Sequence, residues 1–354
     1  MIDKTCFEAG FIQRMSKEYR FDPGLIERAI YAFQLLGGLV DRGIDLVFKG
    51  GTSLMLVLPE LRRFSIDVDI ITKDKDKVLH HAFNDLVADG IFSRWEEDVR
   101  PERGKVPKLH YRFYYFSNIA NKELYILLDI LNIDVPYQHV IIKPIALPFF
   151  TCAREVQVKV PTINGLAGDK LTAFAPTTIG ILYGQGKSME IIKQLFDIGA
   201  LFNGITDLNE VGETYRHIAQ QEASFRNLNQ PMEDFLDDTV RASFLICQLD
   251  FRGYTENEQT RELRDGIGRV RSHIRDGRYT ITHAKVDASK AACLASLIRG
   301  NRPGLDMETL RQEIDNVDAL QHESLPTEYR ILEKFKKITP GNFYLWWVAL
   351  GGGV

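Results

Sequence analysis

The run Leu46-Val47-Phe48-Lys49-Gly50-Gly51-Thr52-Ser53-Leu54, followed by Arg63-Phe64-Ser65-Ile66-Asp67-Val68-Asp69, decides how this chain is read. Leu46 to Phe48 reads as a short buried strand that enters a glycine turn. Ser53 to about Leu58 reads as a short helix stopped by Pro59. From Ser65 to Ile71 apolar residues alternate with acids, the pattern of a second strand. Its two-residue period puts Asp67 and Asp69 on one face, roughly 6 to 7 Å apart at Cα. Hard carboxylate oxygens so spaced suit Mg²⁺ or Mn²⁺, with substrate phosphates completing the coordination. An isolated Asp-x-Asp is more often a solvated pair, and an isolated Gly-Gly-Thr-Ser is more often a tight turn capped by Thr52 or Ser53. Their succession favours function, because free amides and the positive dipole end at a helix start attract phosphate, and glycines admit its close approach.

Upstream, Leu25, Ile26, Ala29, Ile30, Phe33, Leu36 and Val40 recur at helical spacing behind an Asp22 cap and Pro23. That helix is expected to end near Gly37, Gly38 and Gly43. Downstream, Leu109 to Tyr115 alternates as a half-exposed strand, Leu124 to Ile130 is apolar enough to be central, and Val156 to Val160 alternates again. After Ala167 strands give way to amphipathic helices near 168–175, 187–203, 208–222, 232–249, 256–277, 286–299, 306–319 and 326–338. The expected organisation is an α+β fold: a mixed-sheet unit with a leading helix over residues 1–165, then a helical unit over 166–354.

With 354 residues, 45% apolar and 26% charged, the chain has ample core material and lies outside the disordered range. Forty-four basic against 48 acidic residues give a formal charge of −4, so any polyanion site is a local patch rather than a global field. Cys6, Cys152, Cys247 and Cys293 lie too far apart for a zinc motif and read as reduced, mostly buried thiols. The N-terminal stretch lacks the pattern of a secretory leader. The most apolar run, Leu124 to Ile133, is interrupted by Asp129 and too short to span a bilayer, so the expected location is cytoplasmic, with no membrane partner.

Asp129 stands within an otherwise apolar strand, where an unpaired carboxylate is costly, so it is expected to be metal-bound, ion-paired or at an exposed strand end. Two basic groups are candidate acceptor surfaces: Arg94, Arg100, Arg103, Lys105, Lys108 and Arg112, diluted by acids, and Arg261, Arg264, Arg269, Arg271, Arg275 and Arg278. For the second, a solvated helix with ion pairs is the better reading. Trp346 and Trp347 read as core or partner-contact residues.

Four motifs in order carry a family resemblance: Phe48 to Leu54, Arg63 to Asp69, Asp169-Lys170-Leu171-Thr172-Ala173-Phe174, and Ile192 to Ile198. Together they resemble the AbiEii/AbiGii toxin family of the DNA polymerase β-like nucleotidyltransferase superfamily, over roughly residues 20–205. The resemblance implies a polymerase β-like nucleotidyltransferase core with a mixed sheet, followed by a helical C-terminal domain. It also implies the toxin of a toxin–antitoxin or abortive-infection system in phage defence, with an antitoxin as partner. By similarity, Gly50, Gly51, Thr52 and Ser53 hold the NTP triphosphate, and Asp67 and Asp69 hold the metal; Ser65, on the face of Asp67 by the two-residue period, is expected to contact phosphate. Lys170 contacts the triphosphate, and Asp197 completes the site from the next helix. Asp129 and Asp197 are both candidates for the general base, with a neighbouring-strand carboxylate favouring Asp129. The implied acceptor is RNA, with tRNA foremost.

Two features depart from the family pattern. The interval from Gly51 to Asp67 is long, which implies a longer intervening helix. A basic residue expected after Lys170 is replaced by Pro176-Thr177-Thr178-Ile179-Gly180, with Thr177 or Thr178 as substitutes. Two other classes fit parts of the pattern: a metal-dependent glycosyltransferase using Asp-x-Asp, and an NTP-binding regulatory or antiphage protein without transfer activity.

Overall fold

The computed structural model describes residues 1–99, 107–300, 306–313 and 317–352. The chain forms two compact units, one of residues 1–162 with 272–278, the other of 163–271 with 279–354. In the first, helices α1 (Ala9–Tyr19) and α2 (Pro23–Asp41) lead into β1 (Leu46–Lys49), α3 (Gly50–Val57), β2 (Val68–Thr72) and α4 (Asp76–Ala88). Strands β3 (Arg94–Glu97), β4 (Lys108–Ser117), β5 (Lys122–Leu131), β6 (Val140–Pro144) and β7 (Gln157–Pro161) complete it. The seven strands form one mixed sheet in the order β3-β4-β5-β2-β1-β7-β6, so the fold is α+β. β2 runs antiparallel to β1 and parallel to β5, which places the Gly50 end of β1 beside the Asp69 end of β2.

The face of β4 that carries Tyr111, Phe113 and Tyr115 is buried, while His110, Arg112 and Tyr114 on the other face are partly open. Aromatic packing closes the buried face: Phe83 of α4 and Phe92 meet Phe113 edge-on, and Tyr31 of α2 stacks on Tyr115 at 3.7 Å. Asp22 caps α2 by accepting from the Leu25 amide at 3.2 Å. Gly37 and Gly38 do not end this helix, which continues to Asp41. A side chain at Gly38 would overlap Leu86, so this glycine serves close packing of α2 on α4 rather than termination.

Glu27, fully buried in α2, holds the β4–β5 turn. Its carboxylate accepts from the Ser117 hydroxyl at 2.5 Å and from the Asn118 and Ile119 amides at 2.7 and 3.3 Å. Glu27→Gln turns an amide NH₂ toward these donors and is expected to cost about 2 kcal/mol, measurable by urea denaturation.

The second unit consists of α5 (Ile163–Ala173), α6 (Ser188–Phe202), α7 (Leu208–Phe225), α8 (Met232–Cys247), α9 (Glu258–Val270), α10 (Ile281–Arg299), α11 (Met307–Glu313), α12 (Phe335–Ile338) and α13 (Pro340–Ala349). Trp346 is fully buried there, packs near Phe244 and Tyr329, and donates its indole N–H to Cys247 Sγ at 3.3 Å. No helix among the described residues is long and apolar enough to cross a membrane.

Three details differ from the sequence expectation. The helix read over 256–277 stops at Val270, and residues 272–278 join the sheet-bearing unit. The Gly51–Asp67 interval holds no longer helix, because α3 ends at Val57 before Pro59 and the remainder is irregular. Asp67 does not lie on the second strand: it immediately precedes β2, which starts at Val68.

Candidate active site

The turn between β1 and α3 is built around two glycines with different neighbours. Gly50 has φ of 74°, in the left-handed region that favours glycine. The Asp69 carboxylate occupies the space where a Cβ at Gly50 would stand, with Asp69 Cγ 2.8 Å from that position. A Cβ at Gly51 would lie 2.6 Å from Arg63 Nη2 and 2.9 Å from Ser65 Oγ. Thr52 donates its hydroxyl to the Asp67 carbonyl at 2.6 Å, and Ser53 donates to the Gly50 carbonyl at 2.9 Å. The two hydroxyls thus tie the turn to the acidic segment and to itself, and α3 carries no side-chain N-cap. Its first-turn amides have no acceptor within the helix. Gly50→Ala is expected to destabilise the fold by about 2 kcal/mol or more, through backbone strain and displacement of Asp69, and to remove activity with it; thermal unfolding and a turnover assay check both.

Strand register brings the charged groups together. Lys49 pairs with Asp69, Asp69 with Asp129, and Asp129 with His110, so one row crosses β1, β2, β5 and β4 on one sheet face. Asp129 is nine-tenths buried, with both oxygens engaged: Oδ1 meets His110 Nδ1 at 2.6 Å and Oδ2 meets Lys108 Nζ at 2.9 Å. Burial pushes its carboxyl up, but Lys108 and His110 together outweigh burial and hold it below the ordinary carboxylate range. Asp69 is pushed up to about 6 by burial first, and also by the charges of Asp129 and Asp67, against the opposing pull of Lys108 and Lys49.

This donor set fits a hard divalent cation. Asp69 is a carboxylate whose charge is disfavoured by its surroundings, Asp67 is an exposed acid two residues away, and magnesium commonly takes one or two carboxylates and completes its shell with substrate oxygens. Among the described residues no group of three or more His, Cys, Asp or Glu side chains is gathered to hold a metal without such help.

Within the helical unit, Lys170 of α5 and Asp197 of α6 meet in a buried ion pair. Lys170 Nζ lies 3.0 Å from Asp197 Oδ2 and donates to Gln194 Oε1 at 3.1 Å. The loop after α5 is occupied otherwise than as a phosphate contact. The Thr177 amide and the Thr178 hydroxyl both donate to Oδ2 of buried Asp238, at 2.7 and 2.8 Å.

The basic groups are largely paired. Arg94 bridges Glu96 and Glu123, Arg112 meets Asp98 at 2.5 Å, Arg264 meets Asp250 at 2.8 Å, and Arg271 donates to the Tyr279 carbonyl. Arg100, Arg103 and Lys105 lie outside the described residues. Sequence reasoning counted Lys108 only as a surface charge and passed over Lys49 and His110 as site residues. The alternation over Leu109 to Tyr115 already placed His110 on the half-exposed face, but the register that sets His110 and Lys108 beside Asp129 is long-range.

A family profile described as "Nucleotidyl transferase AbiEii toxin, Type IV TA system" matches residues 34–276. The chain belongs to the AbiEii nucleotidyl transferase toxin family. Among solved structures it is similar to JHP933 from Helicobacter pylori, at 16% identity and a TM-score of 0.44, over 84% of this chain and 99% of that one. It is also similar to an antigenic nucleotidyltransferase-like protein from Paracoccidioides brasiliensis, at 12% identity and a TM-score of 0.36, over 58% of this chain and 94% of that one. The comparison with curated proteins finds no match.

Proposed function

We propose that this protein is a metal-dependent nucleotidyltransferase toxin that moves a nucleotide from an NTP to an RNA acceptor, tRNA foremost. The observation that carries the reading is the Asp69 carboxylate packed against Gly50 at a glycine turn that opens a helix. Amides of that turn bind the triphosphate, and Ser65 adds a hydroxyl beside Gly51. Asp67 and Asp69 hold Mg²⁺ or Mn²⁺. The bound cation supplies neutralising charge at the attacking and departing oxygens.

The acceptor hydroxyl oxygen forms a bond to the α-phosphorus as the bond to pyrophosphate breaks, and the hydroxyl proton passes to a base. Asp129 is the carboxylate on the neighbouring strand, and its partners Lys108 and His110 fix its orientation. Lys170 and Asp197 enter this reading through the family motifs alone. The type IV toxin–antitoxin description of the family supports an antitoxin as partner.

The test is incubation of the purified protein with each α-labelled NTP, Mg²⁺ and total cellular RNA, followed by a denaturing gel. Label in a tRNA-sized band is the expected result and names the nucleotide. Nucleotide binding with no labelled RNA, or any labelled protein in its place, contradicts the RNA-transfer reading.

A further inference from the structure

Arg63 is 6% exposed, yet it lies in the irregular segment between α3 and β2 rather than in a core element. Its guanidinium stands over the Cα of Gly51, where only a glycine leaves room, and its Nη1 donates to the Phe64 carbonyl at 3.3 Å. The backbone that carries it is held by a distant segment. Arg63 forms an antiparallel bridge with Ile274, the Phe64 amide donates to the His273 carbonyl at 2.9 Å, and the Arg275 amide donates to the Arg62 carbonyl at 3.0 Å. These contacts span more than two hundred residues of sequence and account for the inclusion of residues 272–278 in the sheet-bearing unit.

We propose that residues 272–278 are a working part of the phosphate turn. By pairing with Arg62 to Phe64 they hold the Arg63 guanidinium against Gly51 and keep the turn in its phosphate-binding form. Arg63 is then a positioning residue whose planar fork also places a fixed positive charge beside the phosphate site, which a lysine does not reproduce in shape. This inference rests on the nucleotidyl-transfer reading. An interaction that orders the turn in the ground and transition states alike appears in KM, with kcat nearly unchanged.

Three variants of the full chain separate this role from a structural one. Arg275→Pro removes only the amide donor to Arg62, apart from the side chain. Ile274 has φ −98° and ψ 141°, which suits a residue before proline, and Arg275 opens a short 3₁₀ turn, where proline is tolerated. Arg275→Ala removes the same side chain and keeps the amide. With the NTP that labels RNA, Arg63→Lys is expected to raise the nucleotide KM about tenfold and Arg275→Pro about three- to tenfold, each with kcat within about twofold. Arg275→Ala is expected to match the wild type, and the thermal midpoints of all three to stay within a few degrees of it. A wild-type KM for either Arg275→Pro or Arg63→Lys overturns the inference while leaving the transfer reading intact. If Arg275→Pro does not fold, a wild-type KM for Arg63→Lys still overturns it. Absence of turnover in the wild type overturns the transfer reading and this inference with it.

Discussion

Asp69→Asn is expected to lower nucleotidyl transfer by about a thousandfold or more while raising the stability of the metal-free protein. The loss follows from removing the carboxylate that lies against the Gly50 turn and that the proposed function assigns to the cation. The stability gain follows from the same geometry. Burial and the neighbouring acids raise the Asp69 carboxyl to about 6, so its ionisation is costlier in the folded chain than in the unfolded one. That cost is absent below about pH 4, grows as pH rises through the folded value, and is fully present at neutrality. The asparagine variant, which cannot ionise, is therefore expected to match the wild type near pH 4. Near pH 7.5, in EDTA, it is expected to exceed it by about 1 kcal/mol, or a few degrees in thermal midpoint. A variant with full transfer activity, or with lower stability than the wild type at neutral pH, contradicts the assignment.

Lys170→Met carries the largest expected stability effect, a loss of about 3–5 kcal/mol. The Lys170 and Asp197 side chains are 7% and 2% exposed and lie 3.0 Å apart, and Gln194 takes a further Lys170 proton. Removing one partner of such a pair leaves a buried charge without its counterion, whereas replacing both with apolar residues of similar volume is often close to neutral. The double variant Lys170→Met with Asp197→Leu is thus expected to recover most of the loss in urea denaturation. The resemblance assigns Lys170 to the triphosphate, and the ion pair assigns it to Asp197. If Lys170→Met leaves stability unchanged but raises nucleotide KM, the triphosphate role dominates; the converse result makes the lysine a structural strut of the helical unit.

What the sequence made legible is what local chemistry encodes. The glycine turn, the helix it opens, Asp69 on the second strand and the alternation of β4 all follow from short-range pattern, and the structure bears each of them out. Local pattern failed where a second rule competed. Gly37 and Gly38 signal a helix end, yet both are interior residues of α2, and close packing on Leu86 is what requires the glycine at 38. The Ser65–Ile71 alternation signals a strand through Asp67, yet pairing reaches back only to Asp69 against β1 and to Val68 against β5, so the strand starts three residues later, at Val68. β3 and β6 are short edge strands of four and five residues, with too little apolar alternation to register. Contacts between distant segments were out of reach altogether. Nothing in the neighbourhood of Asp129 names Lys108 and His110 as its partners, and nothing near Arg63 announces that residues 273–275 will pair beside it.

The central claim is that the Gly50 turn and the Asp67–Asp69 acids catalyse transfer of a nucleotide, not of a phosphate. The most direct measurement supplies the productive NTP in parallel with label at the α- and at the γ-phosphate, together with RNA and Mg²⁺, to the wild type and to Asp69→Asn. The account predicts RNA label from the α-position alone, lost in the variant. RNA labelled from the γ-position, or label that survives in Asp69→Asn, contradicts it.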